Sequence, residues 1–254
     1  MLKSRIIPVQ LLLGDRLVKT VRFDSYRDVG NPVSSSKVYS DQDADELVFL
    51  NIARDNRSSA SLLKLIERVS QVCFMPLAVG GGISSFQDAE QLIRKGADKV
   101  VINSAAYRDL NLLSEIASKF GSQAVVVSMD ARKDEISSRY VLYSECGRKR
   151  ELIDLEEHVQ KVVGAGAGEI LINSIDRDGT MSGYDVDLVR LVVKATNVPV
   201  IACGGAGNFE HMKQVSLETR INALACGSLF NFGDNNPIRA KAFLSNYGLS
   251  YKVI

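Results

Sequence analysis

The chain repeats itself. The segment ELVFLNIARD (Glu46–Asp55) matches EILINSIDRD (Glu169–Asp178) at an offset of 123 residues. At the same offset PLAVGGGISSF (Pro76–Phe86) matches VIACGGAGNF (Val200–Phe209), which sets Gly81 on Gly204, Gly82 on Gly205 and Phe86 on Phe209. Each copy reads as strand, glycine loop and helix in one order, so the two halves are versions of one multi-unit piece. Two four-unit halves close into one eight-stranded barrel. The length of 254 residues agrees with this, because a (β/α)₈ barrel forms one domain at ~250 residues.

The hydrophobic pattern supplies the eight strands. Short apolar runs lie at Arg5–Leu12, Glu46–Asn51, Met75–Gly80, Lys99–Asn103, Ala124–Asp130, Glu169–Asn173, Val198–Cys203 and Asn222–Gly227. They are rich in Val, Ile and Leu, as strands buried on both faces should be. Helical stripes separate them, for example over Ser59–Val72, Phe86–Lys95 and Asp185–Thr196. Alternation of this kind predicts a parallel sheet with right-handed crossovers, here an α/β TIM barrel. The alternative is an open doubly wound sheet, but no G-x-G-x-x-G follows the first strand. No linker or low-complexity stretch divides the chain. The expectation is one domain over 1–254, with half-barrels at about 1–123 and 124–254.

Composition excludes several classes of function. Lys+Arg 31 against Asp+Glu 30 gives a net charge of +1, so no global field favours nucleic acid or an anionic membrane. No apolar run approaches the ~18 residues of a spanning helix, and the N-terminus reads as a first strand rather than a signal peptide. The four cysteines, Cys73, Cys146, Cys203 and Cys226, form no C-x-x-C pair, and His158 and His211 are the only histidines. A zinc site is therefore not expected, nor any other metal or cofactor. Cys73, Cys203 and Cys226 lie in or beside apolar runs and read as buried free thiols of a reduced, cytoplasmic protein.

The repeat also points to ligands. Gly81-Gly82 and Gly204-Gly205 each follow a strand and precede a helix, where backbone N–H groups favour an anion. The next strand of each half ends in small residues, Asn103-Ser104 and Gly227-Ser228. On a barrel these four loops share the C-terminal face. Glycines that merely permit tight turns would explain one pair; two related pairs favour a ligand with a phosphate at each end. Asp130 ends the fifth run, and Asp176 and Asp178 follow the sixth in IDRDGT. An aspartate there suits acid–base work if burial raises its pKa, although Asp178 before a glycine also fits a turn. Lys19 falls in GDRLVKTVRFDSYRD with Arg16, Arg22 and Arg27, a long polar stretch that reads either as a basic lid or as a solvated charge run. At the other end Arg5, Glu46, Lys99 and Glu169 open four strands with alternating charge. That ring reads as rim stability or as a gate to a passage along the axis.

Taken together, RII, ELVFLNI, VGGGI-x-x-F-x-x-A, GADKVVINSAA, GSQAVVVSMDA, GAGEILINSIDRDGT-x-SGYD and GGAG-x-x-E-H resemble the cyclase subunit of imidazole glycerol phosphate synthase over essentially the whole chain. The resemblance implies a barrel that receives ammonia from a glutaminase docked at its bottom face. The ammonia would pass through to the top, where a bisphosphorylated ribonucleotide is cleaved and cyclised. It implies phosphate sites at Gly82, Asn103 and Ser104 and at Gly179, Gly204, Gly205 and Ser228. It implies a gate of Arg5, Glu46, Lys99 and Glu169, and catalytic roles for Asp130 and Lys19.

One departure matters. The family's first strand carries a catalytic aspartate in C-L-D-V; this chain reads V-Q-L-L there, with Leu11 at the matching position, and Asn51 stands where an aspartate is usual. Loss of one acid–base partner costs ~10²–10⁴ in rate. The pattern resembles a divergent branch found with surface-polysaccharide genes, implicated in acetamidino groups on sugars beside a glutaminase and an ATP-using sugar amidotransferase. The main expectation is thus an ammonia-channelling subunit in sugar amidination. The alternatives are the cyclase-lyase of histidine biosynthesis and a non-catalytic activator of a glutaminase. Ser144–Glu151 (SECGRKRE) reads as a charged hairpin tip or a partner contact.

Overall fold

The computed structural model describes residues 3–53 and 59–252. β1 (Arg5–Leu13) turns into β2 (Arg16–Thr20) and β3 (Tyr26–Gly30), followed by α1 (Pro32–Asp41). Next come β4 (Leu47–Asn51), α2 (Ser59–Val69), β5 (Leu77–Gly80), α3 (Phe86–Arg94), β6 (Lys99–Ile102) and α4 (Asn111–Phe120). β7 (Val125–Lys133) leads into β8 (Tyr140–Ser144), β9 (Lys149–Arg150) and α5 (Leu155–Gly164). The chain ends with β10 (Glu169–Ser174), α6 (Val186–Ala195), β11 (Val200–Cys203), α7 (Phe209–Thr219), β12 (Ala223–Cys226), α8 (Ser228–Asn231) and α9 (Pro237–Ser245).

Eight strands, β1, β4, β5, β6, β7, β10, β11 and β12, pair in parallel with their neighbours, and the pairing of β7 with β10 closes the ring. This is a (β/α)₈ barrel. Its two apolar layers come from the period-two alternation of the strands. In β1, Ile7 and Val9 join an inner cluster with Val48, Ala78, Val126 and Leu171, while Ile6 and Leu12 pack outward with the helices. The strands read as unbroken apolar runs because both layers are buried.

Two expectations need correction. Residues 16–30 are not a long lid loop: they form the antiparallel hairpin β2–β3 on β1, with Lys19 buried at 7% exposure. Gly14-Asp15 makes the turn, and Gly14 sits at φ +64°, a conformation glycine adopts without a Cβ penalty. Asp130 does not end the fifth strand either. β7 continues to Lys133, pairing there with β8. The other runs agree with the observed strands to within one or two residues, and the helix expected over Ser59–Val72 stops at Val69. Arg54 and Asp55 of the first repeat segment lie outside the described residues. Among the described residues no helix is long and apolar enough to cross a membrane.

The repeat persists in local geometry. Ser85 caps α3 and Asn208, 123 positions on, caps α7, each by accepting from the backbone three residues ahead. The glycine pairs before them share a backbone: φ is +93° and +90° at Gly81 and Gly82, and +91° and +101° at Gly204 and Gly205. A Cβ on Gly81 would lie 2.1 Å from the Asn51 carbonyl oxygen, and one on Gly205 2.1 Å from that of Gly183. Only glycine permits these approaches.

Candidate active site

The C-terminal ends of the strands surround a cavity of about 840 Å³. Lys19, Asp130 and Asp178 all line it, together with Gly82, Asn103 and Ser104 on one side and Gly179, Gly204, Gly205 and Ser228 on the other. These sequence-selected positions therefore converge on a single mouth. Leu11 lines it too, and so does Asn51. Asp176 does not: its carboxylate accepts from the Lys133 N–H at 2.9 Å and pairs with Arg132, outside the mouth.

Asp130 is the acid best placed for proton transfer. It is buried, and burial pushes its carboxyl up to about 7. The Asn173 and Asn103 side chains oppose that rise. Asn103 Nδ2 donates to one oxygen at 2.8 Å, and Asn173 Nδ2 approaches the other at 3.4 Å. The nearby Asp178 charge adds to the rise. A carboxyl tuned to about 7 can take and return a proton near neutral pH. Asp178 plays a different part. It is 6% exposed, its Oδ1 accepts from Lys19 Nζ at 2.8 Å, and its Oδ2 accepts from Thr20 Oγ1 at 2.9 Å. This pair ties the β2 hairpin across the mouth, which goes beyond a turn role. Residue type gave no signal for Thr20 or Asn173, since neither is distinctive until the fold sets it beside a carboxylate.

Strand register locates what stands opposite Asp130. β1 and β7 are the two barrel strands that continue into antiparallel hairpins. Asp130 pairs with Asn173 of β10 as Leu11 pairs with Leu50 of β4. On the other flank Val126 pairs with Val101 and Ile7 with Ala225, so the place of Asn103 corresponds to Gly227. One half of the mouth thus holds an aspartate between two asparagines. The matching half holds a leucine between a leucine and a glycine. Gly227 makes room for Lys19, whose Cε would lie 3.2 Å from any Cβ there. Leu11 packs against the inner apolar cluster.

The thiols fit the expectation in part. Cys73, Cys203 and Cys226 are free thiols, and Cys73 and Cys226 are buried. Cys203 is half-buried and lines the mouth, where burial pushes its thiol up to about 12, so it is not a thiolate at neutral pH. Among the described residues no cluster of His, Cys, Asp and Glu suits a metal ion.

At the N-terminal rim the four charges form a closed ring. Arg5 reaches Glu46 at 2.8 Å and Glu169 at 3.0 Å, and Lys99 reaches the same two carboxylates at 2.8 and 3.0 Å. Glu46 is 2% exposed. Removing one cation from such a ring leaves desolvated carboxylates short of a partner. Lys99→Met should cost ~3 kcal/mol, the low end for a broken buried pair because Arg5 still holds both acids, and lower the melting temperature by roughly 5–10 °C. Calorimetry of the variant checks this. Between the ring and the mouth the lumen is lined by aliphatic side chains.

The family described as "Histidine biosynthesis protein" matches residues 5–236 of the chain. The chain is also similar to the imidazole glycerol phosphate synthase subunit HisF of Caulobacter vibrioides, 43% identical over 253 residues that cover 100% of this chain and 97% of that protein. The protein of the same description from Hyphomonas neptunium is 42% identical over 254 residues, all of both chains. With the closed barrel and its single mouth already in hand, matches of this extent mean that the chain belongs to the histidine biosynthesis protein family, on its HisF side.

Proposed function

We propose that the chain is a HisF-type synthase subunit that takes ammonia at the charge-ring face and uses it on a bisphosphorylated ligand at the mouth. The observation that carries this reading is the pair of glycine cradles set on either side of Asp130 in one cavity. Gly82, Asn103 and Ser104 bind one phosphate, and Gly179, Gly204, Gly205 and Ser228 the other. Asp130 moves the proton. Lys19, held by Asp178, supplies a cation over the ligand. A HisH-like glutaminase docks on the N-terminal face, and the Arg5–Glu46–Lys99–Glu169 ring gates ammonia into the apolar lumen. The full-length likeness to HisF subunits supports the ring-forming lyase of histidine biosynthesis over sugar amidination.

The assay is purified protein with the histidine-pathway ribonucleotide and excess ammonium. Product that disappears in Asp130→Asn supports the lyase, and turnover within tenfold of an authentic cyclase excludes the second reading. No product overturns the lyase. That second reading, acetamidino modification of a surface-polysaccharide sugar with an ATP-dependent amidotransferase as third partner, is favoured by Leu11 and its apolar flank. For the gate, Lys99→Met should change glutamine-dependent turnover relative to ammonium-dependent turnover, with the glutaminase still bound in a pull-down. An unchanged ratio would remove the gate.

A further inference from the structure

A second cavity, about 550 Å³, lies on the flank of the barrel between the 106–110 loop, the stretch 149–153 and helix α5. Nothing in the reaction proposed at the mouth uses it. His158 of α5, 2% exposed, lines it, as does Tyr107, whose ring stacks on the imidazole at 4.1 Å between centroids. His158 Nε2 and the Tyr107 hydroxyl are both buried without a hydrogen-bond partner. Two orphaned polar atoms side by side cost stability unless something fills the space and bonds them. Burial lowers the imidazole to about 4, so at neutral pH His158 is uncharged and can offer one N–H.

The rim gives the sign of the missing group. Arg108, Lys149, Arg150 and Lys161 line the cavity against only Asp109 and Glu151. Glu151 is engaged by Ser144 Oγ at 2.5 Å and Lys149 at 3.1 Å, and Lys161 by Glu157 at 2.7 Å. Arg108 and Arg150 make no ion pair among the described residues. Arg150 acts at longer range on the Asp134 carboxylate, and two guanidiniums at the rim of a cavity that also holds two neutral donors match a dianion with several acceptor oxygens. The volume falls within the range of small-molecule sites and exceeds what phosphate alone would fill. We propose that this flank cavity binds the phosphate of a phosphomonoester.

The two histidines make the test direct. His158 reports the flank cavity. His211 reports the mouth, because its Nδ1 accepts from the Gly207 N–H, just after the Gly204-Gly205 cradle. The full chain is titrated with inorganic phosphate and, separately, glycerol 3-phosphate, and both imidazoles are followed by NMR. The expected result is a saturable shift of the His158 signals, reached at lower concentration with the ester. Arg150→Glu, at an exposed position, should weaken that response at least tenfold, and Tyr107→Phe about tenfold, with the His211 response unchanged in both. A silent His158 alongside a responding His211 would overturn the proposal. So would a His158 shift that shares the His211 midpoint and survives Arg150→Glu. Equal midpoints for the two ligands would overturn the assignment to a phosphomonoester.

Discussion

Asp130→Asn should cut turnover by ~10²–10⁴ and make the protein more stable. The carboxyl is buried and titrates at about 7 instead of near 3.8, so the folded state holds its proton more tightly than the unfolded chain does. A folded pKa raised in this way leaves stability intact below the unfolded value of 3.8 and erodes it as pH rises through about 7. The full difference of some three units corresponds to about 4 kcal/mol at alkaline pH. Asparagine removes that burden and keeps the shape. Its amide oxygen still accepts from Asn103, and a turned Asn173 amide presents its unpartnered Oδ1 to the new N–H. The variant should therefore match the wild type in stability at pH 4 and exceed it by roughly 2–4 kcal/mol at pH 8.5 in urea titrations. Its rate should fall by ~10²–10⁴, the usual value of a positioned acid or base. A parallel pH dependence of stability in the two proteins would show that Asp130 is ionised at no cost and is not the tuned acid of the mouth.

Leu11→Asp is the second large effect. Register sets position 11 against Leu50 as Asp130 stands against Asn173, so an aspartate there recreates a two-acid mouth. The expected outcome is at least a tenfold rise in ammonium-dependent product from the histidine-pathway ribonucleotide. Stability should drop, because the new carboxylate meets Leu50 and the apolar lumen in place of the asparagines that serve Asp130. The loss should be ~1–3 kcal/mol, that of an unpaired polar group in a half-wet site. Leu11→Asn pays the same burial without a proton to move and separates the two effects. If neither variant raises the rate, the leucine is not the missing half of the chemistry, and the sugar reading gains.

The architecture was legible because it is written in periodicities that neighbours along the chain enforce. The offset of 123 residues, the apolar runs and the glycine pairs needed no tertiary information, since strand burial on both faces and positive φ each restrict residue type at the position itself. The β2–β3 hairpin is less plain: its Gly14-Asp15 turn between two apolar stretches is a standard hairpin signal, yet its charges read equally as a lid or a solvated run. Arg16, Arg22 and Arg27 interrupt the apolar alternation that would mark the two strands. Asp130 was identifiable as an acid after an apolar run, but its raised pKa was not, because that comes from burial in the closed barrel, partly offset by asparagines 27 and 43 positions away.

The sequence by itself determined the strand and helix order, the ring of alternating charge at the strand starts, the glycine loops and the leucine at position 11. Those features follow from local propensity and spacing. Only the tertiary structure decided that Lys19 and Asp178, 159 residues apart, meet as a buried pair at 2.8 Å, that Asn103 and Asn173 flank Asp130, and that His158 and Tyr107 are left with unpaired polar atoms beside a cationic groove. Each of these is a contact between distant segments, fixed by closure of the barrel. Side-chain hydrogen bonding and desolvation, unlike backbone periodicity, leave no trace in the order of residues along the chain.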